Sequence, residues 1–239
     1  MKQKPAMIIL SCEHAVNYVP PEFNHYFIEH SALLNSHRGI DFGAAAIALH
    51  LSHSLHCYML SSTISRLLID CNRTLNQSGC FSEISSNFPE SLKQELIESY
   101  YLPYRQQIIN QINISISEGY QVWHLSMHSF TPILDDITRQ TEIGILYDPR
   151  RKSERKMAQK WQKLLKSHDK EWRTRLNYPY KGTSDGFTTS LRCQYADSDY
   201  LGIEIEGNQA LTQDASNLAR MSKLLEQTLR KLLRLNGLS

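Results

Sequence analysis

Apolar residues along the chain follow two rhythms. Short apolar-rich runs, bounded by polar or turn-forming residues, read as buried strands at 7–10 (ending near Cys12), 57–60, 67–69, 122–127, 144–147 and 201–205. Spacings of three and four mark helices. Residues 42–54 carry Ala44, Ile47, Ala48, Leu51 and Leu55 on one stripe. Residues 89–117 read as helix, with an interruption expected near Leu102-Pro103, because proline has no N–H to donate inside a helix. Residues 152–166 form a charged amphipathic pattern, and 213–235 close the chain with Leu218, Met221, Leu224, Leu225, Leu229 and Leu232. The stretch 23–36 is mixed and predicts short helical turns. Clusters of Gly, Pro, Asn and Ser at 17–21, 76–79 and 177–186 predict loops. There is no internal repeat and no low-complexity segment. Strands alternating with helices predict an α/β fold with a mainly parallel or mixed sheet, as one domain over residues 1–239.

Composition narrows the classes. The chain has 239 residues, enough for one large α/β domain. Its formal charge of +2 is nearly balanced and no long basic face stands out, so nucleic acid is not an expected partner. The five cysteines, Cys12, Cys57, Cys71, Cys80 and Cys193, are odd in number and include no C-x-x-C pair. That speaks against a disulfide scaffold or a thiolate zinc knot and suits a reducing compartment. No apolar run approaches the roughly 20 residues that span a bilayer, so no membrane segment is expected. The basic first residues precede an apolar run shorter than the roughly 7–15 residues of a signal-peptide core. A cytoplasmic location is the expectation.

Three strand ends carry groups with chemistry. The run 7–10 ends in Glu13-His14, the run 122–127 in His128, and the late strand holds Glu204 and Glu206. Open α/β sheets place ligands just beyond the carboxyl ends of their strands. Neutral imidazole is the commonest side-chain metal ligand, and two imidazoles with a carboxylate make an open zinc site. The bland alternative for His14 and His128 is capping or loop packing. There is no H-E-x-x-H helix to decide the matter locally. Alternation puts Glu204 and Glu206 on one face of their strand, either as solvated carboxylates on an edge strand or with Glu204 as a general base. Asn72 and Arg73 follow the run 67–69 directly. Arg73 offers a planar fork for a carboxylate, either Asp70 or one on a ligand, and Arg66 is a second such candidate. Asp41 sits where an N-cap belongs, ahead of the helix at 42–54, or it ligates a metal. The loop holding Tyr178 and Tyr180 either packs or closes over a substrate.

Seven short motifs in order resemble the N-formylglutamate amidohydrolase family. They are Ser11-Cys12-Glu13-His14-Ala15 with Pro20; Ile40-Asp41-Phe42-Gly43-Ala44; Arg66 through Asp70-Cys71-Asn72-Arg73; Tyr101-Leu102-Pro103-Tyr104; His128-Ser129-Phe130-Thr131-Pro132; Asn177 through Tyr180 with Asp185-Gly186; and Gly202 through Gln209. Each is weak alone. The resemblance implies a phosphorylase/hydrolase-like three-layer α/β/α fold with a mixed, mainly parallel sheet, related to the zinc carboxypeptidases. It implies a divalent metal, Zn2+ first, and hydrolysis of the C–N amide bond of an N-acyl amino acid such as N-formylglutamate. On this chain it implies His14 and His128 as metal ligands, Glu204 as the general base, and Asn72 and Arg73, with Arg66, as the substrate-carboxylate site. Where zinc carboxypeptidases carry a glutamate three residues after the first histidine, this chain has Asn17. Asp41 is therefore the first candidate for the third ligand and Glu13 the second. The chain resembles a divergent subgroup, since Ser11 to Ala15 departs from the Ser-Pro-His-Ser-Gly of many such deformylases. Two rivals stand beside this reading: a non-catalytic carboxylate-binding or sensor protein on the same scaffold, and a metal phosphoesterase, which usually needs more carboxylates for a second metal.

Overall fold

A computed structural model describes residues 4–235. The chain runs β1 (Ala6–Cys12), α1 (Ser31–Leu34), α2 (Ala44–Leu55), β2 (Tyr58–Ser61), α3 (Glu90–Leu96) and α4 (Leu102–Ser117). It continues through β3 (Gln121–Phe130), β4 (Ile133–Leu134), β5 (Ile137–Thr138), β6 (Ile143–Leu146), α5 (Lys152–His168) and β7 (Thr174–Leu176). It ends with α6 (Phe187–Arg192), β8 (Tyr200–Asn208), α7 (Gln209–Thr212) and α8 (Ala215–Arg234). The six-stranded sheet has the order β2-β1-β3-β8-β6-β7. All neighbours are parallel except β6 and β8. The mixed, mainly parallel sheet with helices on both faces is the expected α/β architecture. Among the described residues no helix is long and apolar enough to cross a membrane.

Side-chain alternation builds the two outer layers. Ile8, Leu10 and Cys12 of β1, Trp123, Leu125 and Met127 of β3, and Leu201, Ile203 and Ile205 of β8 join the core under α2, α5 and α8. On the opposite face the same strands begin apolar, with Ile9, Val122 and Tyr200 packed against Ile108 and Ile112 of α4 and Phe187 of α6. Further along, that face turns polar: Ser11 and Glu13, then His124, Ser126 and His128, then Glu204 and Glu206, nearly all buried. Because β1, β3 and β8 are parallel and in register, with Ser11 beside Ser126 and Ser126 beside Glu204, these polar rows share one edge.

Several local readings change. Residues 67–69 lie in a turn region, not a strand; Leu67, Leu68 and Ile69 bury in a satellite core with Phe23, Phe27 and Phe88. The expected break near Pro103 is a π-helical turn at Ile97–Tyr101, which joins α3 to α4 and absorbs the missing donor. The β4–β5 hairpin, β7 and α6 carry no readable period, being only a few residues long.

His124 anchors the inner end of the polar row. Its two ring nitrogens lie 2.8 Å from Tyr200 Oη and 2.8 Å from Ser11 Oγ, and the ring is fully buried. Burial pulls its pKa down to about 4, so it is neutral in the fold. The unfolded chain takes up that proton near pH 6.5. Stability from this group is therefore present above about pH 6.5 and lost as the pH falls toward 4, by about 3 kcal/mol in all. His124→Gln should unfold more easily at pH 7 but lose less stability between pH 6.5 and 4 than wild type. Urea titrations across that range check this; parallel curves would contradict it.

Candidate active site

His14 stands just past β1, His128 near the end of β3, and Asp41 in the turn before α2. The backbone N–H of Asp41 donates to His14 O at 3.1 Å, which ties that turn to the strand end. Asp41 does not cap α2. That helix starts after Gly43, whose φ of 78° suits a residue without Cβ, and it has no side-chain cap. The Asp41 carboxylate turns instead to the two histidines. Its Oδ2 lies 3.2 Å from His14 Nδ1 and 2.9 Å from His128 Nδ1, and accepts the Ser129 N–H at 3.3 Å. The two imidazole centroids are 5.0 Å apart, and all three side chains are buried. His128 is not beyond its strand as the apolar run suggests. Pairing with β8 carries β3 on to Phe130, with His128 beside Glu206.

The donor set fits a divalent cation. Donor atoms of His14, Asp41 and His128 all lie within 4.8 Å of one another. The separations of 2.9 and 3.2 Å approach the edge of about 3.3 Å that tetrahedral zinc with N/O ligands requires. Each imidazole is held from behind by a second acid. His14 Nε2 lies 2.7 Å from Asp70 Oδ1; His128 Nε2 lies 2.8 Å from Ser126 Oγ and 3.3 Å from Glu13 Oε2. Such outer carboxylates fix a tautomer and leave the other nitrogen, here Nδ1, to face the centre. Glu13 also accepts from Ser126 Oγ at 2.6 Å and Tyr104 Oη at 3.1 Å. Burial alone would raise the carboxyls of Asp41, Asp70 and Glu13. The hydrogen bonds and charges of His14 and His128, with Arg66 at Asp70, hold all three well below the usual carboxylate range. Burial opposes charge on His128, but Asp41 and Glu13 raise its pKa well above that of a free imidazole. Asn17 lies outside this cluster and donates to Asn35 Oδ1 at 2.9 Å.

The cluster opens into a cleft of about 640 Å³. Glu204 and Glu206 line it from β8, which is a central strand and not an edge, so neither carboxylate is solvated as an edge strand would leave it. Thr188 Oγ1 of α6 donates to Glu204 Oε1 and fixes its rotamer. Burial pushes the Glu206 carboxyl up to about 8. Arg66, Asn72 and Arg73 also line the cleft. The ion pair with Asp70 belongs to Arg66, at 2.8 Å, not to Arg73; Arg66 also reaches Asp41 at 3.5 Å. Arg73 Nη1 donates to the Asp185 carbonyl at 2.8 Å. The Asn72 Oδ1 accepts the Phe187 N–H at 2.7 Å. Thr74 holds the Asp185 carboxylate through its N–H and its hydroxyl, at 3.1 and 2.6 Å. The segment after Asp70 and the loop 177–186 are thus locked together beside Glu204.

Sequence reasoning misses Asp70, Ser126 and Thr188 as site residues. Asp70 is legible only as an acid near arginines, and Ser126 only through its alternation with His128. Thr188 has no local signal, because α6 has no readable period.

Comparison with known proteins agrees with this architecture. A family model described as N-formylglutamate amidohydrolase matches residues 6–212. No curated protein matches the chain. The crystal structure of a gene product of Agrobacterium tumefaciens superposes with a TM-score of 0.82 at 25% identity, over 97% of this chain and 92% of that one. An N-formylglutamate amidohydrolase from Ralstonia eutropha JMP134 superposes with a TM-score of 0.72 at 17% identity, over 99% and 94%. The latter likeness is one of fold.

Proposed function

The chain belongs to the N-formylglutamate amidohydrolase family, and from that premise we propose that it is a metal-dependent hydrolase of N-acyl amino acids, with the reaction centred on His14, Asp41 and His128. The observation that carries this reading is the convergence of those three buried donors on one point in a cleft that also exposes Glu204.

In this reading His14 Nδ1, His128 Nδ1 and an Asp41 oxygen hold the cation, with zinc the first choice. Glu13 and Asp70 keep the imidazoles in place from behind. When bound, a divalent cation supplies Lewis-acid polarisation of a carbonyl and acidification of water toward neutral pH. Glu204 takes a proton from the attacking water as the C–O bond forms, and delivers it to the amide nitrogen as the C–N bond breaks. The products are a carboxylic acid, formate for an N-formyl substrate, and a free amino acid. Thr188 aims the Glu204 carboxylate. Arg73 and Asn72 receive the substrate α-carboxylate; Arg66 is already engaged by Asp70 and Asp41 and serves chiefly to balance their charge.

The test is a panel of N-acyl amino acids assayed for acid release against protein of measured metal content. Hydrolysis that scales with bound metal and stops on chelation is expected. Protein that holds one ion per chain yet cleaves none of the panel would return the chain to the class of carboxylate binders.

A further inference from the structure

We propose that Glu206 is a specificity residue that receives a cationic nitrogen on the substrate, so that the preferred amide is an N-acyl amino acid carrying an ammonium or guanidinium group. This rests on the hydrolase reading above and adds a substrate class to it.

The acids of the cleft differ in how they are satisfied. Asp41 and Asp70 are bonded to the histidines and Arg66, Glu83 to Arg38, Asp185 to Thr74, and Glu204 to Thr188. Glu206 is 5% exposed and lines the same cleft, yet its Oε2 is buried without a hydrogen-bond partner. Among the described residues no cation forms an ion pair with it. A buried acceptor left open in this way lowers stability unless a ligand completes it.

The strands explain why no described residue completes it. Glu206 sits between two cross-strand neighbours, His128 on β3 and Gly144 on β6. His128 is committed on both ring nitrogens. Gly144 offers no side chain, and none can be added, since a Cβ there would run into the Tyr178 carbonyl and crowd the Glu206 Cβ. Glu206 is also outside the set of donors that converge around His14, Asp41 and His128. What remains is a desolvated carboxyl group facing the cleft, two residues beyond Glu204 on the same side of β8, whose ionised form lacks a partner. A charged N–H donor is the group that best satisfies it.

The experiment uses metal-loaded protein and two near-isosteric pairs of amides: N-formyl-L-lysine against N-formyl-L-norleucine, and glycyl-L-alanine against N-propionyl-L-alanine. In at least one pair the cationic member should have the higher kcat/KM, on the order of 10- to 100-fold, and Glu206→Gln should bring that ratio close to one. Binding of the same four compounds to Glu204→Gln, read by calorimetry, should show the same preference, lost in the double variant. This second arm reports on Glu206 even where no amide is cleaved, so a failure of hydrolysis is not confused with a failure of recognition. No preference in wild type, or one that survives Glu206→Gln, overturns the proposal. So does a Glu206→Gln protein that loses metal to a chelator more readily while its selectivity is unchanged, because Glu206 would then serve the cation site.

Discussion

Turnover of Glu204→Gln should fall at least about 10²-fold, and toward 10⁴-fold, while the protein keeps its metal. General acid–base help is worth about that much, and glutamine cannot accept and pass on the proton. The substitution is otherwise mild. The glutamine carbonyl oxygen can still accept from Thr188 Oγ1, and the position is not among the three converging donors. The shape of the site beside it is held by the side chains of Asn72 and Arg73, which bond the backbone of the 185–187 segment. Steady-state kinetics on the best amide, with metal content on the same sample, decide the matter. Wild-type turnover in this variant would remove Glu204 from the reaction.

His128→Ala should give the opposite signature: the metal goes, and activity with it. The substitution deletes one of three donors and also removes the partner of Glu13, leaving a buried carboxylate served only by hydroxyls. Breaking a buried pair by removing one member costs about 3–5 kcal/mol, so the midpoint of thermal unfolding should drop as well. Metal analysis after dialysis and a thermal scan read the two effects separately. Retention of the ion at wild-type affinity would show that the centre lies elsewhere. Together the two variants separate a group that handles protons from one that holds the cation.

Much of this site can be read from residues alone, for identifiable reasons. The stretches at 7–10, 122–127 and 201–205 lie in buried strands, and on one face of each the side chains turn polar toward the edge that carries the polar row. That change of pattern points to Glu13, His14, His128 and Glu204 without any coordinates. Asp41 is harder to read. An acid before a helix has an ordinary job as a cap, and only the left-handed turn at Gly43 and the bond to the His14 carbonyl divert it to the histidines. The pairing of Asp70 with Arg66 rather than Arg73 is a matter of how the 65–73 turns fold, and turns have no period. The run 67–69 misleads for a related reason. Three apolar residues can satisfy a satellite core as well as a sheet, and here they pack with Phe23, Phe27 and Phe88. The vacant side of Glu206 is invisible to sequence, because it depends on which strands lie beside β8.

The parallel crossovers have a consequence for how the protein comes into being. His14, His128 and Glu204 are brought together by β1, β3 and β8, with Asp41 tied to His14, and β8 follows β1 and β3 in sequence by a long interval. Pairings of such high contact order form late. A nascent chain still lacking its last strand has no wall for the cleft and little to hold His128 in register. A cation held as proposed would therefore close an assembled site rather than nucleate its folding.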